Sequence, residues 1–141
     1  MNKFDDFLYF NIAGLTTNYV ALRQIVEDKR PLLVFLSETH IVDDEAFEQY
    51  SIPGYNVAAC LSHSRQTGGV AIYVRESVQF QLCHNEAKDG NWFLGITVVG
   101  GMKVGNYGVL YHSPNASDRR FLEILENWLD EFLDLSKLNK I

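Results

Sequence analysis

Two short apolar runs flanking one helical stripe set the strongest limit on how this chain can fold. Phe7–Ile12 ends at Ala13-Gly14 and reads as a buried first strand, and Leu32–Leu36 is continuously apolar up to Ser37-Glu38. Between them Leu15, Tyr19, Leu22, Ile25 and Val26 recur at three- and four-residue spacing, the stripe of an amphipathic helix. Asp28, Lys29 and Arg30 form a polar exit, and Pro31 cannot continue the helix because its ring removes the amide donor. A strand, a helix and a strand with joints this short predict a parallel crossover unit, its strands covered on both faces.

The middle of the chain changes character. Past an acidic segment at Asp43–Glu48 and a Pro53-Gly54 turn, strands are predicted at Tyr55–Leu61, Gly69–Val74, Val78–Cys83 and Trp92–Val99. A further strand, Met102–His112, returns through Gly100-Gly101, a pair that tolerates positive φ. Connections of this length need antiparallel neighbours. Phe121, Leu125, Trp128, Phe132 and Leu135 then share one face of a helix starting near Ser117, its predicted N-cap. The predicted fold class is therefore α/β, a mixed sheet flanked by helices: a crossover unit, a meander and a packing helix. The chain stops at Lys137–Ile141, where another strand is expected, so residues 1–141 read as one truncated domain.

Composition narrows the functional classes. A length of 141 residues with 47% hydrophobic side chains supports one domain with one sizeable core. The net charge of −6 argues against a free-standing basic nucleic-acid clamp, since neutralising phosphates needs surplus cations. It leaves open an enzyme that meets phosphate through a bound metal ion. Cys60 and Cys83 are too few for a disulfide framework or a zinc cage and are expected to be buried free thiols. Asp5 and Asp6 interrupt any secretory apolar stretch, and the runs Leu32–Leu36 and Val70–Val74 fall far short of the ~20 residues of a membrane span. The expectation is a chain with no membrane contact, intracellular, in the cytoplasm or the nucleus.

Three polar residues sit where predicted strands end, which is where open sheets place their sites. Glu38 follows the second strand, and a carboxylate there can give one oxygen to Mg²⁺ while waters complete the octahedron, or it can be a solvated loop residue. Asn11 closes the first strand and can orient a phosphate or a carboxylate, or simply form the turn before Gly14. Tyr111 lies at the end of the strand before the last helix and can point a hydroxyl at phosphate or serve as packing.

The order of these pieces is more specific than any one of them. Asn11-Ile-Ala-Gly14-Leu15, a helix, a strand ending Ser37-Glu38-Thr39-His40, then Arg65-Gln-Thr-Gly68-Gly69-Val-Ala-Ile-Tyr73, and later Tyr111-His-Ser-Pro114 follow one another. This succession resembles the endonuclease/exonuclease/phosphatase superfamily, the deoxyribonuclease-I-like fold, over nearly the whole chain. Within it the sequence looks most like the endonuclease domain of non-LTR retrotransposons. The resemblance implies the N-terminal half of a four-layer α/β sandwich.

It also implies roles. Glu38 matches the glutamate that ligates a divalent metal, Mg²⁺ or Mn²⁺; Asn11 matches the asparagine that positions that glutamate or the scissile phosphate. Tyr111 matches a tyrosine that hydrogen-bonds a phosphate oxygen. His40 stands at the rim, as a phosphate ligand or a capping group, and Arg65 can approach a DNA backbone or remain a solvated turn cation. Two of the family's motifs are missing: a Gly-Asp-x-Asn, which orients the attacking water, and a Ser-Asp-His. Ser117-Asp118 is followed by Arg119 and reads as a helix cap. The implied function is the N-terminal part of a metal-dependent phosphodiesterase or DNA endonuclease of retroelement type. The alternative is a catalytically inactive remnant or interaction module, and a phosphoinositide or sphingomyelin phosphodiesterase is a third option. A chain supplying one sheet of such a sandwich is expected to leave an apolar face uncovered and to self-associate.

Overall fold

The computed structural model describes residues 6–134 of the protein. The predicted crossover unit is present: β1 (Phe7–Asn11), α1 (Leu15–Lys29) and β2 (Leu33–Ser37), with β1 and β2 parallel and Asn11 beside Ser37. α1 starts at the uncapped Gly14 and ends where Arg30 turns left-handed, one residue before the proline that cannot extend it. The acidic segment is a short helix, α2 (Asp44–Glu48), whose first turn is capped by the Asp43 carboxylate accepting from the Ala46 amide. β3 (Tyr55–Cys60) and β4 (Val70–Arg75) complete a four-stranded sheet in the order β1-β2-β4-β3, with antiparallel pairing of β4 to both neighbours.

A second sheet follows. β5 (Gln79–Lys88), β6 (Asn91–Gly100) and β7 (Gly105–His112) form an antiparallel meander, and α3 (Asp118–Phe132) packs on its outer face. The expectation of a single sheet is thus corrected: the described residues supply both sheets of a sandwich. The reason lies in the alternation of side chains along β2 and β4. Leu33, Val70, Ile72 and Val74 face Trp92, Leu94, Ile96, Val98 and Val109 of the second sheet, whereas Val34, Leu36, Ala71 and Tyr73 face α1 and the α2 loop. Continuous apolar runs are what strands buried on both faces require.

Other boundaries differ for local reasons. β7 begins at Gly105 rather than Met102, because Met102, Lys103 and Val104 are exposed in the turn, where no partner strand covers them. β5 runs on to Lys88 with register shifts between Gln79 and Phe80 and between Leu82 and His84, so it strays from the alternation that a flat strand would show. Cys60 is buried between the sheets, but Cys83 is exposed on the edge strand β5, against expectation. Ser117 caps α3 as predicted, its hydroxyl accepting from the Arg120 amide at 3.2 Å. The buried anchors of α3 are Ile124 and Trp128, with Phe132 packed beside them, while Leu135 and Lys137–Ile141 lie outside the described residues. No helix among the described residues is long and apolar enough to cross a membrane.

Candidate functional site at the strand ends

The parallel pairing of β1 with β2 puts the carboxyl ends of both strands on one edge of the first sheet. Asn11 is exposed there, level with Ser37, and Glu38 is the next residue of the neighbouring strand's exit. The backbone of that exit is unusual. Glu38 has φ +56° and His40 φ +59°, left-handed conformations that L-residues with a Cβ avoid.

Four backbone hydrogen bonds hold them there. The amides of Gly14 and Leu15 donate to the carbonyls of Glu38 and Thr39, at 2.8 and 2.9 Å. From the other side the amides of Thr39 and His40 donate to the carbonyls of Gly69 and Gly68, at 3.2 and 3.0 Å. The start of α1 and the turn into β4 therefore clamp Glu38–His40 between them. Such conformations cost about 1–3 kcal/mol each and persist only where the surroundings over-determine them, a pattern that concentrates at functional sites. The glycine pair is needed for the clamp. Gly69 has φ +86°, and a Cβ there would come within 2.4 Å of the buried Thr39 hydroxyl.

Glu38 does not face solvent alone. Tyr111, near the end of β7 in the second sheet, donates its hydroxyl to Glu38 Oε1 at 2.8 Å. His40 Nε2 approaches the same oxygen at 3.9 Å. Neither contact uses Oε2. Burial, and then the bond to the Glu38 carboxylate, hold the Tyr111 phenol above its ordinary value, so the hydroxyl stays a donor at neutral pH. The ring sits beside Trp92, its register partner on β6. Tyr9 of β1 donates to or accepts from Ser37 Oγ at 2.6 Å and closes the same edge.

Next to His40 an open cleft of 440 Å³ lies between the start of α1 and the loop after β2. His40, Arg65, Thr16 and Thr17 are among its lining residues. The structure thus joins Glu38 to Tyr111, places Asn11 on the adjoining strand end, and puts His40 between Glu38 and a cleft it shares with Arg65. Sequence reasoning missed the residues that hold these in place: Thr39, the Gly68-Gly69 turn as a clamp, and Trp92. The only signal for them was the glycine pair.

Ser117-Asp118 does serve as a helix start, but Asp118 also accepts from His112 Nε2 at 2.7 Å. His112 Nδ1 meets Asn91 Oδ1 at 2.6 Å, and the ring stacks on Phe121. This His-Asp pair anchors α3 and faces away from Tyr111, its neighbour in the chain.

For a divalent hard cation Glu38 offers one carboxylate oxygen, Oε2, that the contacts of Tyr111 and His40 leave unused. Among the described residues no group of three or more His, Cys, Asp and Glu is gathered that could cage a metal. Mg²⁺ does not need one, because it keeps several waters and uses one or two carboxylates together with substrate phosphates.

Among solved structures, an AP endonuclease from Leishmania major is similar with a TM-score of 0.57 at 17% identity, over 83% of this chain and 43% of that one. The human Nocturnin catalytic domain is similar with a TM-score of 0.52 at 11% identity, over 89% of this chain and 58% of that one. The APE2 catalytic domain of Xenopus laevis aligns over 53% of this chain and 26% of that one, at 25% identity and a TM-score of 0.45. The first and second of these support the fold, and this chain spans about half of each. No curated protein sequence matched. A profile of the Endonuclease/Exonuclease/phosphatase family matches residues 8–138, and the mixed two-sheet sandwich agrees with it: the chain belongs to that family.

Proposed function

We propose that this chain carries the first part of a divalent-metal-dependent phosphodiesterase site that cleaves DNA, of the retroelement endonuclease type. The observation that carries the reading is the Glu38 carboxylate, held in a left-handed backbone and hydrogen-bonded across the sandwich by Tyr111. Glu38 holds the ion, Mg²⁺ or Mn²⁺, through a carboxylate oxygen. When bound, that ion draws charge from the phosphate and from the leaving oxygen. Asn11 orients the carboxylate or the phosphate with its amide. Tyr111 keeps its proton and, when the substrate arrives, turns that one O–H from Glu38 Oε1 to a phosphate oxygen. His40 and Arg65, which share the cleft, meet the DNA backbone. Arg65 supplies local positive charge on a chain whose net charge is −6, so binding rests on a few placed contacts rather than on a basic surface.

The second reading is a catalytically inactive module. It is favoured by the exposed apolar side chains Leu122 and Leu129 on α3 and Leu133 just past its end. On this reading residues 1–141 self-associate through that apolar surface. An intracellular setting, cytoplasmic or nuclear, suits either reading. Mn²⁺ titrated into the full chain tests the site: Glu38→Gln should abolish binding, and unchanged affinity would sink the metal role. Plasmid nicking with Mg²⁺ tests the second reading. The chain alone is expected to bind metal but nick poorly, and efficient Glu38-dependent nicking by a monomer would reject the inactive module.

A further inference from the structure

We propose that Trp92 is a positioning residue of the Glu38–Tyr111 site, acting through a ring that touches both the clamp on Glu38 and the phenol that bonds it. The inference rests on the reading of Glu38 and Tyr111 as the site. Trp92 is 3% exposed and reaches no substrate, so its part is to hold other groups. It does so in three directions. The indole N–H donates to the Leu61 carbonyl at 3.0 Å, tying the second sheet to the exit of β3. Its six-membered ring lies flush on Gly68, where an added Cβ would come within 2.3 Å of it. Its centroid is 5.9 Å from that of Tyr111, the residue opposite it across the β6–β7 ladder.

Two of these contacts, to Gly68 and to Tyr111, lead to Glu38 by one step. Gly68 and Gly69 accept from the His40 and Thr39 amides that bracket the left-handed turn, and Tyr111 donates to the Glu38 carboxylate. A residue needed only for core volume would require no orientation. The indole N–H sets the rotation of the ring, and that rotation decides whether Gly68 and the phenol can both lie against it. A ring without the N–H fills much of the space and loses the setting. Glu38 and Tyr111 come from different sheets, so some group must fix one sheet's strand ends against the other's; Trp92 is where that is done.

Trp128 is the control within the same chain. It is also 3% exposed and donates to Glu86, but it stacks on Phe93 beneath α3, away from Glu38. In the full chain, carbon-13 NMR of the Glu38 carboxyl and the Tyr111 ring reads the bond between them without any metal. Glu38→Gln calibrates the Tyr111 signal and Tyr111→Phe calibrates the Glu38 signal. Trp92→Phe is expected to move both toward those values, while Trp128→Phe leaves them in place. Mn²⁺ affinity should fall about tenfold in Trp92→Phe and stay unchanged in Trp128→Phe. If the Trp92→Phe chain fails to fold, β-(3-benzothienyl)alanine at position 92 removes the N–H alone and serves for the same spectra.

Trp92→Phe signals that stay within the spread of Trp128→Phe would overturn the proposal. Wild-type chain that takes up Mn²⁺ independently of Glu38 would instead overturn the metal reading, while the metal-free spectra still decide the role of Trp92.

Discussion

α1 and α3 are each fifteen residues long, yet they are held very differently. α3 has the sharper apolar stripe, but buries only Ile124 and Trp128 and leaves Leu122 63% and Leu129 39% exposed, with Leu133 just past its end 53% exposed. α1 has the weaker stripe and buries Leu15, Leu22 and Val26 to 2% or less. Connectivity explains the difference. α1 is the crossover between two parallel neighbours, so both of its ends are tied to the sheet it covers, and the Gly14 and Leu15 amides bind it to the exit of β2. α3 follows the meander and lies on the narrow antiparallel sheet, mainly around Phe93. An apolar stripe says which side of a helix turns inward; the partner surface decides how much of it is covered. The same comparison bears on function, because the well-held helix is the one that clamps Glu38.

The contrast can be broken by removing one anchor from each helix. Leu22→Ala, at a position beneath α1 that is 2% exposed, should destabilise the chain by about 3 kcal/mol in chemical denaturation, since removing its side chain leaves a void against the sheet. Ile124→Ala should cost less, about 2 kcal/mol, with faster hydrogen exchange confined to α3 and no change in β2 and β4. If the two variants lose equal stability and exchange speeds up throughout, the helices are equally integral and the comparison fails.

The core between the sheets carries its own pH signature. Burial pushes the Cys60 thiol up to about 11 from an ordinary value of 9.0. Above pH 9 the unfolded thiol ionises while the folded one stays protonated, so its contribution is complete below that pH and is lost as pH rises through about 11. Denaturation series at pH 8 and pH 11 should show Cys60→Ala losing about 1–2 kcal/mol less than wild type across that range.

The smallest effect belongs to the open side of α3. Leu122→Lys should change stability by less than about 0.5 kcal/mol, because the side chain already stands in water. The same variant sharpens the question of self-association. Sedimentation across a concentration series should shift toward monomer if Leu122 is part of a contact between copies, and should stay unchanged if the stripe has no such role.

Residue order alone was enough for the elements that bury apolar runs. β1, α1, β2, β4 and β6 sit within a few residues of their predicted bounds, because continuous or periodic apolar residues have few places to go. Glu38, Asn11 and Tyr111 could be singled out for the same reason: each stands where such a run stops. What only the tertiary structure decided was which distant pieces meet. Glu38 and Tyr111 are 73 residues apart, and their bond exists because the meander folds back as a second sheet facing the first. No local pattern encodes that pairing, since it depends on side chains alternating between two cores. The left-handed turn at Glu38 was equally hidden. Its residues have no preference for that conformation, and it is imposed by backbone hydrogen bonds arriving from α1 on one side and from Gly68 and Gly69 on the other.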